Sequence, residues 1–175
     1  MLIDEFLPEH DFIETHSISI RADAADIYRA ANEVDFGEST VIRWLMRLRG
    51  MSVGNLTLSN LGKFKFEMLA ETVNKEMVIG LVGRFWTIAG GLQKIDSATF
   101  LAFNTPGFAK AVWNFSLAED GVNTRLTTET RIKCLDDDSR RRFGFYWMFI
   151  QPFSGLIRME MLKTIKRRAE AEAGA

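Results

Sequence analysis

From Phe143 onward, side chains suited to one buried face return every third or fourth position, at Phe143, Trp147, Ile150, Ser154, Ile157, Met161 and Ile165. A strand alternates its faces residue by residue, so this spacing demands a helix, here assigned to 137–171. Asp136, Asp137 and Asp138 precede the stripe and favour a helix start, through capping and the positive end of the helix dipole. Pro152 has no amide proton and crowds the turn before it, which predicts a kink, helped by Gly155. A helix of this length needs a broad apolar surface to lie on.

Earlier segments supply strands for that surface. Phe12 to Ile20 alternates, placing Phe12, Glu14, His16, Ile18 and Ile20 on one side. Asp23 then offers an N-cap, and Ile27, Ala30, Ala31 and Val34 form the buried stripe of a short helix stopped at Gly37. A second short helix is expected from Thr40 to Arg49, with Gly50 as its stop. From Phe64 the period is two, with Phe66, Met68, Ala70 and Thr72 on one face and Lys65, Glu67, Leu69 and Glu71 on the other.

Asn74 and Lys75 form a tight-turn candidate leading into a strand from Met77 to Trp86. Gly90 and Gly91 mark a turn, Ser97 to Phe103 reads as a further strand, and Asn104, Pro106 and Gly107 turn the chain again. Phe108 to Leu117 places Ala109, Ala111, Trp113, Phe115 and Leu117 on one face. Glu119, Asp120 and Gly121 then close a hairpin onto Asn123 to Cys134. Strand, two short helices, consecutive hairpins and one long helix make an α+β order with an antiparallel sheet. The long helix is left to cover a curved sheet, and pockets form where such elements splay.

The 175 residues are 47% hydrophobic and 26% charged, enough for one domain with its own core and unlike a disordered chain. The net charge of −1 gives no basic field for nucleic acid. A lone Cys134 excludes an internal disulfide, and no metal-ligand spacing surrounds it. The acidic residues among Met1 to His16 lack the pattern of a signal peptide, and no apolar run reaches membrane-spanning length. The expectation is a cytoplasmic protein of one domain: an extension over 1–11, sheet and short helices over 12–134, then the closing helix. No cofactor and no metal are expected.

The segments Gly83-Arg84-Phe85-Trp86, Pro106 through Trp113, Thr128-Glu129-Thr130-Arg131 and Phe145-Tyr146-Trp147 through Ile157-Arg158 resemble a bacterial branch of the START-like superfamily. It is also called the Bet v 1-like, SRPBCC, or polyketide cyclase/dehydrase and lipid-transport superfamily. The order of elements along the whole chain resembles its helix-grip fold, in which a curved antiparallel sheet wraps around a long C-terminal helix. The resemblance implies a hydrophobic small molecule, lipid or polyketide bound in an internal cavity, and no particular reaction.

The expected ligand-binding residues are Arg84, Trp86, Phe103, Ala111, Trp113, Phe115, Thr128, Thr130, Tyr146, Trp147, Ile150 and Ser154. Trp113, Phe115 and Trp147 either line a cavity or fill the core. Thr128 and Thr130 either offer hydroxyls to a ligand or bond along the sheet. Arg84 shares the parity of Trp86, so a ligand carboxylate or Glu129 is its natural inward partner; an outward Arg84 reaches solvent. Glu129 and Arg131 read as a polar, solvent-facing pair, and Tyr146 as a donor from the helix. His10 and His16 have no catalytic constellation in sequence.

Two functions follow: a carrier or sensor of an apolar ligand, and an aromatase/cyclase-like enzyme in which cavity shape and a few polar groups act together. A third, peripheral membrane contact through Arg43, Trp44, Arg47 and Arg49, is left open, as is the oligomeric state.

Overall fold

A computed structural model describes residues 1–39, 43, 57, 65–87 and 90–174. β1 (Phe12–Ile20) forms over the alternating segment, and Asp23 caps α2 (Ala24–Glu33) by accepting the Asp26 amide at 2.8 Å. Ile27, Ala30, Ala31 and Val34 are buried as their spacing requires. α2 ends at Glu33, ahead of Gly37, which lies instead in a 3-10 turn at Phe36–Glu38. The helix expected over 40–49 falls outside the described residues, apart from Arg43.

β2 (Glu67–Thr72) and β3 (Glu76–Gly83) are joined through Asn74, whose positive φ of 61° makes the tight turn. Both strands are shorter than their alternation suggested. Lys65 has a φ of 61° in the turn before β2, and the Arg84 amide bonds to Gly90 O at 2.6 Å, folding the chain back beyond Gly83.

Residues expected as a strand from Ser97 to Phe103 form a helix, α3 (Ser97–Ala102). Asp96 accepts the Thr99 amide at 2.7 Å, Ser97 Oγ donates to Leu69 O at 2.6 Å, and Phe100 is buried. An N-cap outweighed the β-like composition. β4 (Ala109–Asp120) and β5 (Asn123–Cys134) form the expected hairpin, with Asp120 paired to Asn123 across Gly121 and Val122.

The curved sheet is antiparallel throughout, in the order β1-β5-β4-β3-β2. α4 (Asp137–Ala173) runs continuously through Pro152, two residues beyond its expected end. Asp136 caps it, accepting the Ser139 amide at 2.8 Å, the Ser139 hydroxyl at 2.7 Å and the Gly107 amide. These bonds hold the Asp136 carboxyl at about 2, the Gly107 amide contributing most.

α4 packs on β1, β5 and α2, giving an α+β, helix-grip arrangement. Ile20, Ile79, Trp113, Phe115, Leu126, Ile132, Phe143, Met161, Leu162 and Ile165 meet in this inner core. At the N-terminal end of α4, Phe143 stacks on Trp147 at 5.6 Å and meets Phe12, Phe85, Trp86 and Tyr146.

The opposite, outer face is also buried, which is why every residue of β3 lies inside. The segment expected as an extension forms α1 (Leu2–Phe6), and its Ile3 joins Leu7, Leu69, Val78, Val82, Phe100 and Val112 in a second core. Leu69, assigned from its parity to a polar face, is therefore buried beneath α1 and α3.

Candidate functional site

Strand register brings the inner-face polar groups together. Glu14 on β1 opposes Thr130 on β5, Thr130 opposes Trp113 on β4, and His16 opposes Thr128 one step along. Directly opposed residues share a face, so side chains from β1, β5 and β4 point from the sheet toward α4. Glu14 and His16 occupy inward positions because they alternate in step with Phe12, Ile18 and Ile20, which pack into the inner core.

Glu14 Oε1 lies 3.1 Å from His16 Nε2. The other carboxylate oxygen, Oε2, is buried without a hydrogen-bond partner, and so are Trp113 Nε1 and Thr128 Oγ1. These groups are deeply enclosed: the Glu14 side chain is 7% exposed, Trp113 5% and Thr128 1%. Buried polar atoms in folded proteins are nearly always satisfied, and each one left unpaired costs roughly 1–3 kcal/mol.

α4 covers this row closely. A Cβ at Gly155 would stand 2.9 Å from Glu14 Oε1 and 3.4 Å from His16 Nε2, so glycine lets the helix backbone approach β1. One turn later the Arg158 guanidinium lies over the Trp113 ring, 4.7 Å from its centre, while Phe66 meets the same ring edge-on at 5.0 Å. The site therefore offers a carboxylate oxygen as acceptor, an indole N–H as donor and a hydroxyl able to do either, between aromatic walls.

Ala111, Trp113, Phe115, Thr128 and Thr130 all lie buried on or within the sheet's inner side. Trp86, Tyr146 and Trp147 are half-buried around Phe143, toward the start of α4, and Ile150 and Ser154 are half-buried on the helix. Arg84 and Phe103 are elsewhere. β3 ends at Gly83, so strand parity does not carry Arg84 inward with Trp86; Arg84 is exposed and covers the Phe108 ring at 4.5 Å. Phe103 follows α3 and packs on Phe108 in the outer core.

Glu129 and Arg131, expected in solvent, are enclosed beneath α1. Arg131 donates to Glu129 Oε1 at 2.6 Å, Leu7 O at 3.1 Å and Asp4 Oδ1 at 2.8 Å. Burial opposes its charge, but the bonds to Asp4 and Glu129 prevail and raise its pKa. Burial also pushes the Cys134 thiol up to about 12, with Asp11 and Asp136 adding to the shift. Among the described residues, no group of three or more His, Cys, Asp or Glu side chains could hold a metal ion.

A surface groove of about 500 Å³ lies between α2 and the C-terminal half of α4. Its walls include Glu33, Asp35, Arg167 and Arg168, with Arg168 bridging to Glu33 at 3.7 Å. It is charged and separate from the inner polar row.

No protein-family model matches the sequence, and no curated protein matches it. Solved structures similar to it include TTHA0849 from Thermus thermophilus, 12% identical with a TM-score of 0.41, covering 93% of this chain and 99% of that one. MLL2253 from Mesorhizobium loti is 17% identical with a TM-score of 0.41, covering 89% and 98%. The di-domain ARO/CYC StfQ from the steffimycin biosynthetic pathway is 9% identical with a TM-score of 0.43, covering 93% of this chain and 52% of StfQ. Among the described residues, no helix is long and apolar enough to cross a membrane.

Proposed function

We propose that residues 1–175 act as one ligand-binding unit, holding a hydrophobic small molecule or lipid between the inner sheet face and α4. Trp113, Phe115, Trp147 and Ile150 would meet its apolar body. Glu14, Thr128 and Trp113 Nε1 would meet a polar group that both donates and accepts hydrogen bonds. The observation carrying this reading is the concentration of three buried, unpaired polar atoms on adjacent strands of one face. A ligand hydroxyl, which both donates and accepts, would satisfy atoms that are costly to bury alone.

Native mass spectrometry of protein purified without detergent tests this reading, together with solvent extraction of the same sample. The expected result is a bound small molecule that is lost or reduced in Thr128→Val. A wild-type protein that carries nothing and takes up no apolar probe, such as naphthol, contradicts it.

The Glu14–His16 pair favours a second reading, an aromatase/cyclase-like enzyme acting in the same space. A carboxylate beside an imidazole can move a proton, and Trp113 and Thr128 could donate to an oxyanion. Deuterium exchange next to the carbonyl of a bound tetralone, abolished by Glu14→Gln, would support it. Exchange at the uncatalysed rate would remove it.

A further inference from the structure

α4 is apolar on its outward side as well as its inward one. Phe145, Met148, Phe149 and Leu156 are 67%, 62%, 57% and 57% exposed, and Pro152 between them is exposed too. At 3.6 residues per turn these five positions fall within an arc of about 100°, directly opposite the stripe that faces the sheet. Phe145 and Phe149 already meet edge to face at 5.1 Å. A continuous apolar stripe over three turns of a helix whose other side is buried is the kind of surface that marks an interaction site.

We propose that this stripe is the interface of a homodimer in which α4 packs antiparallel on α4 of a second copy. The stripe is self-complementary. Asp138, Phe145 and Pro152 recur at the heptad spacing, and so do Phe149, Leu156 and Lys163. A twofold axis that sets Phe145 against the partner's Leu156 sets Phe149 against the partner's Pro152. The same axis places Asp138 against the partner's Lys163, an acid against a base, and by symmetry does so at both ends of the apolar contact. Both residues are exposed in the single chain.

A lipid surface fits the same stripe less well. The chain carries a net charge of −1. Beside the start of the stripe, Asp136, Asp137 and Asp138 balance Arg140, Arg141 and Arg142, and Arg141 and Arg142 bridge to Asp138 at 3.8 and 2.7 Å, so no unbalanced basic patch draws it to anionic lipid.

Light scattering after size exclusion, across a roughly hundredfold dilution series of the full chain, tests the proposal. The expected result is twice the monomer mass for the wild type at the upper concentrations and monomer for Phe149→Glu. Asp138→Lys and Lys163→Asp should each weaken the dimer, and the double exchange should restore it. Circular dichroism verifies that each variant is folded, and Lys163→Asp leaves the start of α4 untouched. A wild type that is monomeric throughout, a dimer indifferent to Phe149→Glu, or a double exchange that fails to rescue overturns the proposal. Sedimentation of a monomer with phosphatidylglycerol vesicles overturns it in favour of a membrane surface.

Discussion

On the outer face of the sheet, Glu76, Asn114, Glu129 and Arg131 exchange hydrogen bonds with one another and with α1. One residue along β4 and β5, the inner face holds Trp113 and Thr128, and with Glu14 on β1 these carry polar atoms that have no partner. Glu76 accepts the Leu2 and Ile3 amides at 2.7 and 3.3 Å and the Asn114 side chain at 2.7 Å, and Asn114 accepts the Glu129 amide at 2.9 Å. Lys110 likewise donates to Leu101 O at 3.0 Å. Both faces bury polar groups, so burial alone does not separate structure from function. What separates them is satisfaction: each polar side chain named on the outer face has a hydrogen-bond partner, and several of these bonds hold α1, whereas the inner row has polar atoms with none.

The largest test of this contrast is Arg131→Met. It leaves Glu129 enclosed without its cation and removes the bond to Leu7 O, so urea unfolding should show a loss of about 3 kcal/mol. A loss within experimental error would show that the outer network carries no stability.

Thr128→Val on the inner face should move the other way. It removes an unpaired hydroxyl at nearly constant shape, so the ligand-free protein should gain about 1 kcal/mol while binding of naphthol weakens. A destabilised Thr128→Val would mean that the hydroxyl is already satisfied within the protein.

Asp136→Asn sharpens the comparison at the cap of α4, where satisfaction is again complete. The folded carboxyl sits at about 2, below its ordinary 3.8, so its contribution is present above about pH 4 and is lost as pH falls toward 2. The difference in Tm between wild type and Asp136→Asn should therefore be largest near neutrality and close through that window. A pH-independent difference would remove the role of the charge. The smallest effect is expected at Cys134, whose thiol at about 12 should leave it unreactive toward an aromatic disulfide reagent at roughly pH 8 until the protein unfolds. Rapid labelling of the native protein would contradict that.

Much of this architecture is legible in the sequence, because periodicity and caps are local signals. β1, α2, the β4–β5 hairpin and the start of α4 follow from alternation, Asp23, Gly121 and Asp136. Ser97 to Phe103 misleads because a short apolar run does not distinguish strand from helix; the Asp96 cap decides it. The outer core was hidden because α1 is brought onto the sheet by long-range bonds to Glu76, which nothing in the local sequence of either segment announces. Glu14 and His16 were visible as polar residues in an otherwise apolar alternation, and that interruption was the signal for the inner site. The unpaired state of Trp113 and Thr128 depends on three strands in register with α4 above them, so it emerges only in three dimensions.

The inner row can be tested through Trp113 itself. The sequence has four tryptophans, and a Trp113→Phe spectrum assigns the Trp113 indole N–H resonance. On titration with naphthol, the Trp113 indole proton should move downfield as it gains an acceptor, while the backbone amides of Leu2 and Ile3 bonded to Glu76 stay in place. An unmoved Trp113 indole, in a protein whose other tryptophans or outer-face amides respond to the probe, would contradict the inner row as the ligand's polar anchor.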